Sequence, residues 1–286
     1  EFVNSVQAQA QEDGVDHRIA MVGFASDNSR SGWSTLNYGN TELLSTTAVV
    51  NYRNATNSDY KNSLVSVNSN GTVNSRLTTA IDRIDAEGGT AINLGMEMAQ
   101  NILNNNPVSS GEERNQVVIV FTDGEPGIFT SDSDSTRTND YANPAISTAK
   151  AIKDKGVKVY SVGIFDGADA NAAVDTTTTS WSNVKTTNRF MHYLSSNYPN
   201  AQSMSNGGTP DEKKGYYLSA ADADTLKDIF QKISDDIQTG GSSSTLDSNA
   251  IVRDVLTKEL QLPEGTTADD IDIETYQAAK GNTVTN

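Results

Sequence analysis

The stretch Val117-Val-Ile-Val-Phe-Thr-Asp-Gly124 constrains the fold more than any other part of the chain. An unbroken apolar run rich in β-branched residues predicts a strand buried on both faces, the kind found inside a parallel sheet. The run stops abruptly at Thr122, Asp123 and Gly124. This sets an ionisable side chain just past the carboxyl end of a central strand, where open α/β sheets place their ligands. Asp-Gly also makes an ordinary turn, and the stretch alone is compatible with both readings.

Two further buried strands are predicted, over Ile19–Phe24, followed by Ala25, Ser26 and Asp27, and over Val157–Ile164. Between them lie helical faces. Phe2, Val3, Val6 and Ala10 keep helical spacing, with Gly14 as the stop. Leu77, Ala80, Ile81 and Ile84 form a second face, and Ile92, Met96, Ala99 and Leu103 a third. Asn143 and Pro144 read as an N-cap and a first-turn proline for a helix buried through Ala145, Ala149 and Ile152 and ended by Gly156. A short helix over Phe190–Tyr198 and a short strand over Tyr216–Leu218 follow. The clearest amphipathic helix, residues 222–238, carries Leu226, Ile229, Phe230, Ile233 and Ile237 on one side. Strands alternating with helices define an α/β fold, a doubly wound, mostly parallel sheet with helices on both faces. Polar loops follow the strands at 27–76, 127–142 and 166–188, so they gather at the edge that carries Asp123. Trp33, Tyr38, Tyr52 and Tyr60 in the first of them are either contact anchors for a partner or packing for their own loop.

The formal charge of −16 argues against nucleic acid and anionic membranes as partners. With no cysteine, neither a disulfide framework nor a thiolate metal site is available. His17 and His192 have no ligand-like spacing and read as structural. No apolar run is long enough to span a membrane. Residues 1–239 form the α/β domain, 240–247 a Gly/Ser linker, and 248–286 the start of a β-rich surface-protein module. The sequence opens in mid-helix and trails off after Ala278, so it reads as a fragment, truncated at its N-terminus.

Besides Asp123, the carboxyl edge receives Gly88-Gly-Thr90, whose glycines allow a tight turn and present the Thr90 hydroxyl. A hydroxyl and a carboxylate without nitrogen or sulfur suit a hard cation such as Mg²⁺. Arg18-Ile-Ala-Met-Val-Gly-Phe-Ala-Ser26, Gly88-Gly-Thr90 and Phe121-Thr-Asp-Gly124 together resemble the von Willebrand factor A domain, over roughly residues 1–238. Glu125-Pro126, Phe190-Met-His-Tyr193 and Gly215-Tyr-Tyr-Leu218 are similar to A domains of Gram-positive surface proteins and pilus-tip adhesins. The resemblance implies a Rossmann-like fold and a metal-ion-dependent adhesion site. Thr90 and Asp123 match its threonine and aspartate metal ligands, shaped by Gly88, Gly89, Gly124 and Ser26. It also implies Mg²⁺ (or Mn²⁺/Ca²⁺) as the ion and a protein ligand, of host or extracellular matrix, whose carboxylate completes the metal shell. The family's first motif, Asp-x-Ser-x-Ser, belongs before the first helix and has no counterpart in these residues, so a strand and three metal-binding side chains are absent and the resemblance implies the metal for the full-length parent.

The expectation is therefore a non-enzymatic, metal-dependent adhesion domain of an extracellular, cell-wall-anchored bacterial surface protein, with no nucleic-acid partner and no membrane insertion. The alternative is an intracellular A-domain assembly subunit of a chelatase or ATPase-associated complex. Asp132-Ser-Asp134 hints at a calcium loop, but Arg137 stands where such a loop needs glycine, so a solvated acidic loop fits better.

Overall fold

In the computed structural model, residues 2–26, 40–84, 88–110, 114–211, 215–220, 222–242, 276–279 and 282–285 are described. The chain divides into two units, Glu1–Ser243 and Ser244–Asn286.

The first unit opens with helix α1 (Phe2–Asp13), closed by Gly14 at φ +65°. Strands β1 (Arg18–Ile19), β2 (Val22–Gly23), β3 (Glu42–Leu43) and β4 (Val50–Asn51) follow. Helix α2 (Asn57–Ser63) starts from a reciprocal cap between Thr56 and Asp59. The short strands β5 (Val65–Ser66), β6 (Asn68–Ser69) and β7 (Thr72–Val73) lead to α3 (Ser75–Asp82) and α4 (Ile92–Asn105). Next come β8 (Val117–Thr122), a single helical turn α5 (Asp134–Thr136), a π-helical stretch Arg137–Ala142 and α6 (Asn143–Lys153). Strand β9 (Lys158–Gly163), α7 (Val184–Leu194), β10 (Tyr217–Ser219) and α8 (Ala223–Ser242) complete the unit.

The central sheet has the order β10-β9-β8, and both pairings are parallel. Its alternating side chains feed two separate cores. Val118 and Val120 of β8 and Val159 of β9 pack with Ile92, Met96, Ile146, Ile152 and Phe190 of the α4–α6–α7 layer. Val117, Ile119 and Phe121, with Tyr160 and Val162, pack on the other face against Ile229 and Ile233 of α8. Phe230 adds ring contacts to Phe2 and Phe121, each with centroids 5.5 Å apart. Two opposed cores explain why the β8 run is apolar without alternation. The fold is α/β and Rossmann-like, helices covering both faces of a parallel sheet. Strands β2, β3 and β4 pair antiparallel, as do β1 with β5 and β6 with β7.

Several boundaries differ from expectation. The strand predicted over Ile19–Phe24 is broken into β1 and β2, because the Met21 amide bonds to Ser45 Oγ at 2.9 Å instead of to a neighbouring strand. Helix α3 buries Leu77 and Ala80 but leaves Ile81 42% exposed, and Ile84, past the helix end at Asp82, is 60% exposed. The polar segment 127–142 is largely helical. Asn143 does not cap α6; its Oδ1 accepts the Met204 amide at 2.8 Å, and the π-helical stretch runs directly into the helix. Helix α7 begins at Val184, six residues before the expected start, with Asn183 as its side-chain cap. Helix α8 extends to Ser242, taking in Gly240 and Gly241. Tyr60 is buried and packs with Leu43, Met98 and Ile102, so it serves its own domain's core, whereas Trp33 and Tyr38 lie outside the described residues.

Long cations do much of the non-local fastening. Arg83 donates to the carbonyls of Leu44, Thr46 and Thr47, and Arg76 to those of Ser45 and Asn62, holding the β3–β4 loop onto α3. Lys153, the last residue of α6, donates to the carbonyls of Tyr193, Leu194, Ser195 and Tyr198 at 2.9–3.4 Å, closing the carboxyl end of α7. Burial is the main force lowering its pKa, to about 7, with Lys150 adding to it and Asp154 opposing.

In the second unit, β11 (Tyr276–Ala279) and β12 (Asn282–Thr285) pair antiparallel, Tyr276 opposite Thr285 and Ala279 opposite Asn282. Among the described residues no helix is long and apolar enough to cross a membrane.

Candidate metal centre

The carboxyl edge of the sheet is assembled from backbone contacts that bring the expected site loops together. At the end of β8, the Thr122 hydroxyl accepts the Gly124 amide at 3.3 Å and donates to the Gly124 carbonyl at 3.1 Å. That local turn leaves Asp123 exposed at the tip. Ile164, just past β9, donates its amide to the Thr122 carbonyl at 2.9 Å, so the turn sits directly on the sheet's end.

Thr90 is held from both sides. Its amide donates to the Gly127 carbonyl at 2.5 Å, and its carbonyl accepts the Gly127 amide at 3.2 Å. The next amide, Ala91, donates to the Ala25 carbonyl at 2.8 Å, tying the same loop to the end of the β2 segment. Ser26 is buried there, and its carbonyl accepts the Thr41 amide at 2.8 Å. The loops of Ser26, Thr90 and Asp123–Gly127 are therefore sewn into one edge.

The glycines divide by role. Gly88 has φ +92°, a left-handed conformation that a side chain would strain. A Cβ at Gly89 would lie 2.7 Å from the Ile128 carbonyl oxygen and 2.8 Å from that of Gly127. Its bareness lets the Thr90 loop close on the neighbouring loop. A Cβ at Gly124 would meet no atom within 4 Å, and the residue has no positive φ, so sterics do not demand glycine there.

The 125–137 loop is pinned from within. Asp132 Oδ2 accepts the Ile128 and Phe129 amides, both at 2.9 Å. Arg137 donates to the carbonyls of Pro126, Phe129 and Asp132 at 3.0–3.3 Å and lies 3.7 Å from Glu125 Oε1. Asp134 accepts the Trp181 amide at 3.0 Å, so the acidic pair that hints at a calcium loop serves to fasten the chain. His192 is buried at Tyr198 and Tyr217, with its Nδ1 3.1 Å from Asn197 Nδ2, away from these loops.

Among the described residues no group of three or more His, Cys, Asp or Glu side chains could hold an ion. The oxygens of this edge come instead from mixed donors. Among the described residues, three side-chain oxygens are buried with no hydrogen-bond partner: Asn40 Oδ1, beside Ser26; Asn93 Oδ1, in the first turn of α4; and Oε2 of Glu125, whose other carboxylate oxygen lies 3.7 Å from Arg137. Buried acceptors normally find a donor or a cation. Threonine hydroxyl, amide and carboxylate oxygens are the ligand types that a hard divalent ion takes in mixed sets. Sequence reasoning missed the three buried oxygens, because no local pattern marks an acceptor that its neighbours leave unmatched.

An α/β domain with a hydroxyl-and-carboxylate edge at the strand ends defines the class. The von Willebrand factor type A domain family matches residues 1–207, and the chain belongs to that family. Domains of this kind mediate protein–protein interaction. No curated protein matches the chain. Among solved structures, it is similar to the conserved hypothetical protein BatB from Bacteroides thetaiotaomicron, at 14% identity over 84% of this chain and 87% of that one, with a TM-score of 0.37.

Proposed function

We propose that this chain is a non-enzymatic, divalent-cation-dependent protein-binding domain of an extracellular bacterial surface protein. Thr90 and Asp123 ligate the cation, Mg²⁺ or Mn²⁺ (or Ca²⁺), and a carboxylate of a host or matrix protein completes its shell. The observation that carries this reading is the backbone bracing of Thr90 against Gly127 and Ala25, which fixes its loop beside the exposed Asp123. The cation would supply the charge that draws in an anionic partner group, while the surrounding loops set its approach. With a formal charge of −16 on the chain, such an ion would offset the repulsion that an acidic partner group meets. Long polar loops at the strand ends and the absence of cysteine support the surface setting.

The test is capture of the protein on immobilised matrix proteins with Mg²⁺ present and with excess EDTA. Binding should require Mg²⁺ and should fall at least about tenfold in Asp123→Ala and in Thr90→Val, the latter keeping shape but removing the oxygen. Both variants should unfold within about half a kcal/mol of the wild type, as surface-loop changes usually do. Binding that is unaffected by EDTA rules out the metal-dependent mechanism.

A further inference from the structure

The helical segment 134–153 carries an irregularity in its middle. Arg137–Ala142 winds in π turns, and the Asn143 amide bonds to the Thr138 carbonyl five residues back. Such a turn takes in one residue more than an α turn and occurs mostly as an isolated insertion, often at a functional site. The contacts around it differ on its two sides. Downstream, Tyr141, Ala142, Ala145, Ile146 and Ala149 are buried in the core, and Asn143 Oδ1 holds the Met204 amide. Upstream, the fastenings are polar and come from two loops. Asp134 and Thr138 accept the amide and the indole N–H of Trp181, each at 3.0 Å, and the Trp181 ring stands edge-on to Phe190. Arg137 reaches the other way, to the carbonyls of Pro126, Phe129 and Asp132. Its Nη1 lies 2.6 Å from where a Cβ on Gly127 would stand. Gly127 is the residue that clasps Thr90 through two backbone hydrogen bonds.

Return of the π turns to α geometry shifts one half by one residue, about 1.5 Å along the axis and about 100° around it. The downstream half is packed too closely to make that move, so the upstream half must. The step draws Asp134 and Thr138 away from Trp181 and, at the same time, swings Arg137 off the 126–132 loop. We infer that residues 134–142 are a two-register latch joining the Trp181 loop to the loop that clasps Thr90. The π register, with Trp181 bonded, keeps the Gly127–Thr90 clasp closed. The α register, with Trp181 released, opens it. Withdrawal of the Trp181 contacts therefore loosens the strand-end edge from a distance. The latch goes beyond cation binding and does not depend on it.

The experiment follows the isotope-labelled protein by nuclear magnetic resonance. Scalar coupling across the hydrogen bond identifies the acceptor of the Asn143 amide, and hydrogen exchange reads the Gly127 and Thr90 amides. In the wild type the acceptor should be the carbonyl of residue 138. The double variant Asp134→Ala, Thr138→Val removes both Trp181 contacts, and there the acceptor should become the carbonyl of Asn139. The Gly127 and Thr90 amides should then exchange at least about tenfold faster, with β9 unchanged. Deleting the exposed Asp140 from that variant removes the extra residue, so slow exchange should return. Faster exchange with residue 138 still the acceptor, or no rescue by the deletion, would show that the contacts only fasten locally, and the inference falls. Should the double variant not fold, Thr138→Val alone is measured, and part of its population should take the Asn139 acceptor. An unshifted acceptor in the variant measured overturns the latch.

Discussion

Ile233→Ala is expected to lower the unfolding free energy by about 2–5 kcal/mol, the usual cost of deleting a fully buried aliphatic side chain. Ile233 is 0% exposed and belongs to the core that α8 forms with Tyr160, Val162, Ala220 and Ile229. Its neighbourhood cannot collapse easily. Phe230 is fixed between the Phe2 and Phe121 rings, and the adjacent Ser234 donates from its hydroxyl to Gln9 Oε1 at 2.6 Å. Removing the branched side chain therefore leaves a cavity that these neighbours do not fill. A loss below about half a kcal/mol in chemical denaturation would mean that the α8 stripe is not packed on the sheet.

Lys153→Met should also be strongly destabilising, for a different reason. Methionine keeps the apolar stem but removes the ammonium from the carbonyls of Tyr193 and Leu194, while those of Ser195 and Tyr198 keep the amides of Tyr198 and Ala201 at 3.3 and 3.2 Å. Each buried acceptor left without a donor costs about 1–3 kcal/mol. Water can reach some of these carbonyls, so the expected net loss is about 2–4 kcal/mol, with the α7–β10 connection loosening first. Amide exchange resolves the two effects: protection should drop around residues 194–198 before it drops in β9. A variant as stable as the wild type would show that the four contacts contribute nothing net.

The parts of this fold legible in the sequence are those encoded by local periodicity. The β8 run, the α4 and α8 faces and the Gly88-Gly-Thr90 and Asp123-Gly124 turns needed only neighbouring residues to be recognised. What escaped depends on distant partners. The helical character of 134–142 is fastened by Trp181, whose amide bonds Asp134 and whose Nε1 donates to Thr138 Oγ1 at 3.0 Å. The break between β1 and β2 follows from one serine hydroxyl twenty-four positions away. Arg76, Arg83 and Lys153 look like surface cations in sequence, yet their long side chains reach backbone carbonyls of other elements. At the site, the threonine and aspartate loops could be named from their motifs. The bracing of Thr90 by Gly127 and the unmatched oxygen of Glu125 exist only once the loops have met.

The central claim is that the Thr90 and Asp123 loops together hold a divalent cation. Isothermal titration calorimetry with Mn²⁺ on the wild type and on a Thr90→Val, Asp123→Ala double variant addresses it most directly. The account predicts one saturable site in the wild type, weak because few protein ligands are present. The double variant should remain folded and show no saturable heat. A wild type without a binding isotherm, or a double variant that titrates like it, would contradict the account.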